Sequence, residues 1–209
     1  MLVRRIMSEQ ELVAIRTHVV KALGEHSPLV LGSSSRPYKA ELYYAIVRLL
    51  EPSIVVETGV QSGISSAYIL KAMRKNHMGR LYSIDLPDEQ LLNLIPSEKR
   101  DGLRSGWVVP SDLRNDWELQ IGSSQDLLEP LLRQVGGIGM FLHDSEHTYE
   151  NMMREFELAW HHLINKGILL SDDINLNSAF QDFARTVQAK AIRLIEPVGG
   201  LVKTNVPNR

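Results

Sequence analysis

The chain has 209 residues, 44% of them hydrophobic and 23% charged, with 23 Lys plus Arg against 25 Asp plus Glu and a net charge of -2. That length supports one sizeable α/β core, and the charge balance offers no general attraction to nucleic acid or an anionic membrane. There is no cysteine, so disulfides, thiolate nucleophiles and cysteine-ligated zinc are excluded.

The N-terminus, MLVRRIMSEQELVAIRTHVVKAL, breaks its apolar residues with charge every few positions and reads as an amphipathic helix rather than a signal peptide. Its helix is expected over residues 8–22, with Ser8 as N-cap and Leu12, Ile15, Val19 and Ala22 at helical spacing. An exposed apolar stripe there would leave room for a homo-oligomer. No apolar run approaches the roughly 20 residues that span a bilayer, so a cytoplasmic protein without a membrane partner is expected. A second helix is expected from Tyr38 to Leu50, stopped by Pro52.

SIVVETG then reads as a buried parallel strand, followed by a helix over Ser62 to Lys75. LYSIDLP is the next strand, ending at Asp85. From Pro87 to Asn115 the chain is irregular, with Pro96, Gly102, Gly106 and Pro110, and loops of that length are usually lids or binding elements. Trp107 within it would either touch substrate or pack the lid. WELQIGSSQ and IGMFLHD are the third and fourth strands, each followed by a helix, and GILLSDD is the fifth. A helix over SAFQDFARTVQAK leads to AIRLIEPVGGLVKT, read as two strands joined through Val198–Gly200. Strands alternating with helices predict a doubly wound, mostly parallel seven-stranded sheet with an antiparallel edge strand. One domain is expected, with N-terminal helices over 1–50 and a cofactor-binding core over 51–205.

In such a sheet ligands bind beyond the carboxyl ends of the strands, near the switch point. There the sequence sets Glu57-Thr-Gly59, Asp85, Gly122-Ser123-Ser124-Gln125, His143-Asp144 and Asp172-Asp173. Gly59 and Gly63 let the backbone turn sharply beside a ligand. Asp85, placed 22 residues after Gly63, can accept hydrogen bonds from two ribose hydroxyls, while Ser124 and Gln125 can pair with a purine edge. Gln61 stands where a dinucleotide fold has its second glycine, which argues against a pyrophosphate ligand such as NAD. An acid-rich rim suits the positively charged sulfonium of S-adenosylmethionine.

The chain resembles the class I methyltransferases. VVETGVQSGISSAYIL looks like their first motif, GSSQDLLEPL resembles the adenine-contacting segment of catechol-type O-methyltransferases, and GWVVPSDLRNDWEL fits the lead-in to the third strand. FLHDSEHTYENMMREFELAWHHLINKGILLSDDI is similar to a block of the small O-methyltransferases that include macrolide-sugar O-methyltransferases and cephalosporin-hydroxylase-like proteins. The resemblance implies that Glu57, Gly59, Ser62 and Gly63 line the methionine moiety, Asp85 binds the ribose, and Ser124 and Gln125 bind the adenine. Asp144 counts with both the cofactor-binding and the catalytic residues. Metal-using relatives carry acids at the positions of Asp144, Asp172 and Asp173, a hard, oxygen-only set that suits Mg²⁺, with Mn²⁺ or Ca²⁺ as alternatives, and His147 corresponds to a proposed general base. Two departures stand out: the usual D-G-D-H reads Asp144-Ser145-Glu146-His147, and the usual glycine pair before strand five reads Lys166-Gly167.

A small hydroxylated acceptor, a sugar or natural product, is the expected substrate. Plainer readings remain open at this level. Asp144, Asp172 and Asp173 would cap loops and helices, and His147 would pack a strand–helix turn. His143 to His147 also matches the inverted zincin pattern H-x-x-E-H, but His143 belongs to a strand rather than a helix face. Met152, Met153 and Phe156 read as core, and His161–His162 as surface. A silent cofactor-binding scaffold and an NAD-dependent oxidoreductase are the competing functions, the latter disfavoured by Gln61.

Overall fold

The structure is a computed structural model and describes residues 2–26, 37–86 and 104–204. Its elements, in chain order, are α1 (Leu2–Ile6), α2 (Gln10–His26), α3 (Pro37–Leu50), β1 (Ile54–Thr58), α4 (Ile64–Asn76), β2 (Arg80–Asp85), a 3-10 turn (Ser111–Asp116) and β3 (Trp117–Ile121). These are followed by α5 (Ser124–Val135), β4 (Ile138–His143), α6 (Tyr149–His162), β5 (Leu163–Ser171), α7 (Ala179–Thr186), β6 (Ile192–Ile195) and β7 (Val198–Val202).

The seven strands form one sheet in the order β3-β2-β1-β4-β5-β7-β6. Pairing is parallel from β3 to β5, and β7 runs antiparallel to both β5 and β6. Antiparallel pairing is thus confined to one edge, as the sequence predicts. The chain starts at the centre with β1, winds outward through β2 and β3, then crosses to β4. The switch point lies between β1 and β4, where two connections leave in opposite directions and a crevice opens.

Strand alternation sorts the core into two layers. Val55, Leu81, Met140, Leu142, Ile168 and Leu170 face one side with α2, α3 and α4. Val56, Ile84, Phe141 and Leu169 face the other, with Leu128 and Leu132 of α5, Phe156 of α6 and Phe180 and Phe183 of α7. Burial on both faces explains why β4 reads as a continuous apolar run.

The N-terminal helix keeps its apolar stripe within the chain. Leu12, Ile15, Val19 and Leu23 are buried in the same layer as Tyr44, Tyr68 and Ile69. Glu9 ties this element down, accepting from Tyr44 at 2.5 Å and from the Arg48 guanidinium at 2.9 and 2.8 Å.

Three local expectations need correction. Ser8 does not cap α2: its hydroxyl donates to the Arg5 carbonyl at 2.9 Å, while the Glu9 carbonyl accepts the first amides of the helix. The last two strands join at Glu196–Pro197 rather than at Val198–Gly200, which lie within β7. The two glycines there serve packing, since a Cβ on Gly199 would sit 2.6 Å from the Phe180 ring. Residues 87–103 of the irregular segment lie outside the described residues, and the rest of it is not a free lid. Val108, Val109 and Leu113 are buried, Trp107 packs against them, and Arg114 donates to the carbonyls of Gly106 at 2.7 Å and Val109 at 3.2 Å.

Phe156 is fully buried and touches the rings of His143, Phe180 and Phe183. Phe156→Ala should cost about 3–5 kcal/mol, the range for deleting a core aromatic. Reversible urea denaturation checks this; a loss below 1 kcal/mol (about a third of that range) would contradict the layer assignment.

Candidate functional site

The strand ends are laced together by backbone hydrogen bonds. Gly122 N donates to Asp85 O (2.9 Å), Gly59 N to Ile84 O (2.9 Å), Asp144 N to Thr58 O (2.8 Å) and Asp172 N to His143 O (2.9 Å). The polar tips of β3, β2, β1, β4 and β5 therefore share one edge of the sheet, as expected.

The centre of this edge is the loop after β1. Gly59 has φ +83°, and a Cβ there would lie 1.9 Å from the Asp144 carbonyl oxygen. Only glycine admits that contact, which brings the β1 and β4 loops together. Gly63, at φ +89°, abuts Gly106, where a Cβ would meet the Cα at 2.6 Å. The 104–109 segment closes this side: Gly106 N donates to Gln61 O (2.7 Å) and Val108 N to Ser62 O (3.0 Å).

A cleft of about 450 Å³, open to solvent, lies beside the loop. Gly59, Val60, Gln61 and Ser65 form one wall; Lys39, Ala40 and Tyr43 of α3 form another, and Asp144 and Asp172 complete it.

Asp85 accepts from the amides of Val60 (3.2 Å) and Gln61 (3.0 Å). The acid thus fixes the loop that forms the cleft wall. Ser123 caps α5 by accepting from the Gln125 amide at 3.1 Å. Ser124 and Gln125 open that helix two strands away from β1, with Gln125 exposed and its carbonyl bound by Arg154 at 2.7 Å.

Two buried carboxylates flank the end of β1 on opposite faces, following the strand's period of two. Glu57 points towards α4 and accepts from Ser65, from Ser66 at 2.6 Å and from Ser83 at 2.8 Å. Burial pushes its carboxyl up, and the three hydroxyls oppose that. Glu57 stands behind the cleft wall rather than on it, and Ser65 is the member of this group that reaches the cleft. Ser62 is likewise buried and absent from the wall.

On the other face Thr58 donates to Glu155 of α6 at 2.6 Å. Glu155 also accepts from Ser145 (2.8 Å) and Asn151 (3.1 Å) and pairs with His143 Nδ1 at 2.8 Å. Burial pushes this carboxyl up, but His143, then the hydroxyls of Ser124 and Thr58, outweigh it and hold it down at about 2. The sequence reading missed Glu155. It lies mid-helix among apolar neighbours, and its position on the core-facing side with Met152, Phe156 and Ala159 was the available signal. The pair also disposes of the zincin pattern, because His143 ends β4 with its ring turned to Glu155.

His147 sits 4.0 Å from Asp144 Oδ1, edge-on to the His143 ring. Its Nε2 has no hydrogen-bond partner among the described residues, and burial lowers its basicity. Asp144, not His147, lies on the cleft wall. Burial and then the neighbouring Asp172 push the Asp144 carboxyl well above its ordinary value, while Lys39 opposes them.

The trio Asp144, Asp172 and Asp173 does not fit a metal ion. Both carboxylate oxygens of Asp172 take hydrogen bonds from Lys39 Nζ, at 2.8 and 2.6 Å. Among the described residues no group of three acid or histidine ligands converges for a cation. The acids' own spacing does not reveal this contact, since Lys39 precedes Asp172 by 133 positions.

Glu155 gives a pH signature. Its folded value lies below its ordinary 4.5, at about 2, so its stabilisation is complete above 4.5 and is lost as pH falls towards 2. The melting-temperature gap between the wild type and Glu155→Gln should be largest near pH 7 (roughly neutral) and shrink on acidification. A gap that stays constant down the series would show that Glu155 is not held ionised.

No curated protein matches the sequence. Several solved structures share the fold. A SAH-bound methyltransferase from Podospora anserina is 13% identical, with a TM-score of 0.61 over 92% of this chain and 87% of the other. An O-methyltransferase from Bacillus cereus in complex with SAH is also 13% identical, with a TM-score of 0.58 over 94% and 92%. An O-methyltransferase from Streptomyces achromogenes involved in tomaymycin synthesis, in complex with SAM, is 17% identical, with a TM-score of 0.60 over 94% and 91%. At these identities the likeness concerns the fold. A sequence profile described as a methyltransferase domain matches residues 56–174, which spans β1 through the tip of β5 and is more than half of the chain. With the cleft at the β1/β4 switch point, this match places the chain in that methyltransferase-domain family.

Proposed function

We propose that the protein transfers a methyl group from S-adenosylmethionine to the oxygen of a small hydroxylated molecule, with a sugar or natural product as acceptor. The carrying observation is the cleft itself: a glycine-bounded loop at the switch point, held by Asp85 and faced by an acid cluster. The adenosyl group lies along the edge from Asp85 to Ser124 and Gln125, and the methionine end lies beside Gly59, Ser65 and Asp144. A site that gathers Asp144, Asp172 and Asp173 around a single lysine suits a cationic ligand. The sulfonium loses its positive charge in the reaction, so the same field favours the substrate cofactor over its product.

The chemistry asks little of the protein beyond alignment and a place for one proton. The acceptor oxygen attacks the methyl carbon in line, the carbon–sulfur bond breaks, and its electron pair remains on sulfur. The hydroxyl proton passes to Asp144, which the arriving sulfonium holds ionised against the push of burial and Asp172, with His147 behind it. The similar solved structures share this fold, and two of them are O-methyltransferases.

Calorimetric titration with SAH tests the cofactor site. The wild type should bind it, and Asp85→Asn should bind about 10–100-fold more weakly, the worth of a charged hydrogen bond of roughly 1.5–3 kcal/mol. An unaltered affinity would remove Asp85 from the ribose site. With a panel of small phenols and sugars as acceptors, His147→Ala should lower turnover by about 10²–10⁴-fold while SAH affinity holds. Equal turnover in the two proteins would exclude His147 from proton transfer.

A further inference from the structure

The acid cluster at the tips of β4 and β5 already contains a cation. Lys39 projects from α3 and donates to both oxygens of Asp172, at 2.8 and 2.6 Å, and lies 4.0 Å from Asp173 Oδ1. Lys39 is 7% exposed and Asp172 2%. Each charge at that depth would be costly alone, so removal of either leaves the other uncompensated. The distances are those of charge-assisted hydrogen bonds.

A divalent ion would compete for the same oxygens. Mg²⁺ sits about 2.0–2.1 Å from its oxygen ligands and Ca²⁺ about 2.3–2.6 Å. Either would stand next to an ammonium that already occupies the face of Asp172, and two cations a few ångströms apart in a poorly solvated site repel strongly. Loss of Lys39 would leave the three carboxylates as an oxygen-only donor set, the kind that hard cations prefer.

We propose that Lys39 is the resident cation of the acceptor site, an ammonium in place of a divalent metal, so that methyl transfer by this chain is metal-independent. The proposal rests on the reading of the cleft as a methyl-transfer site. Two of the three ammonium protons go to Asp172, and Lys39 lines the cleft, so the third is available to the acceptor oxygen. One helical turn along α3 is Tyr43, 2% exposed and also on the cleft wall. Its hydroxyl has no partner among the described residues. Burial and the charge of Asp144 push it well above its ordinary value, so it stays protonated as a donor. Lys39 and Tyr43 thus supply donors and Asp144 an acceptor around one volume. That set recognises a neutral hydroxyl, which receives hydrogen bonds at oxygen while its own proton faces Asp144. In the transfer that proton moves to Asp144 as the new carbon–oxygen bond forms.

The test uses Mn²⁺ as the probe. The full chain is stripped with EDTA, SAH binding is measured by calorimetry, and Mn²⁺ is then titrated with free ion read by electron paramagnetic resonance. The wild type should bind SAH equally with and without EDTA and should show no saturable Mn²⁺ site. Lys39→Met should gain a site at least about tenfold tighter (a 1.4 kcal/mol difference), and Lys39→Met/Asp173→Asn should lose that gain. A saturable Mn²⁺ site in the wild type that Asp172→Asn abolishes overturns the proposal, as does a folded Lys39→Met that acquires none. Should Lys39→Met not fold, the wild-type titration decides. Absence of SAH binding in the wild type would overturn the cofactor reading as well, which separates the two failures.

Discussion

The site depends on a contact between two backbones. Gly59 lies against the Asp144 carbonyl at a separation that admits no side chain, and the Asp144 amide donates to Thr58. These contacts join the loop after β1 to the loop after β4 at the point where the winding of the sheet reverses. The sheet opens a crevice there because α4 and α6 depart to opposite faces. The glycine keeps the two loops close enough for the crevice to have a floor. Asp85 then fixes the loop through the Val60 and Gln61 amides, and the 104–109 segment closes on the carbonyls of Gln61 and Ser62 just before α4. The cleft wall is therefore held from three directions before any ligand arrives, which limits the ordering cost of binding.

Around that floor the protein buries several carboxylates and compensates each differently. Glu57 is surrounded by hydroxyls, Glu155 pairs with His143, and Asp172 holds Lys39. Only the last faces the cleft. The first two clamp β1 to the helices on its two faces and so set the height of the Gly59 loop. This division explains why acids that look equivalent at the ends of successive strands differ in their roles. Strand alternation turns Glu57 inward, whereas Asp144 lies just past its strand and turns outward.

The electrostatic character of the cleft follows from the same arrangement. Its acids are close enough to raise the Asp144 carboxyl, and one ammonium is too little to neutralise them all. A cationic sulfonium is the ligand whose arrival relieves this crowding most directly. The N-terminal helices take part in this: α3 brings Lys39 and Tyr43, and α2 holds α3 through Glu9 and Arg48. These helices are part of the site and not merely a preface to it.

The alternation of apolar strands with amphipathic helices was legible in the sequence, because burial on both faces of a parallel sheet leaves a mark on every strand. So was the gathering of polar strand ends on one edge, since parallel strands carry their carboxyl ends to the same side. The glycines at 59 and 63 were legible as turns, although the partners that require them were not. Tertiary structure alone decided which acids face a ligand and which face the interior, because that depends on pleat and on the helix packed behind each strand. It also decided the fate of the acid trio. Asp144, Asp172 and Asp173 form a metal-like pattern along the chain, and a lysine 133 positions earlier donates to Asp172 within it. Charge compensation at such sequence separation has no local signature; it exists only once α3 is packed across the end of the sheet.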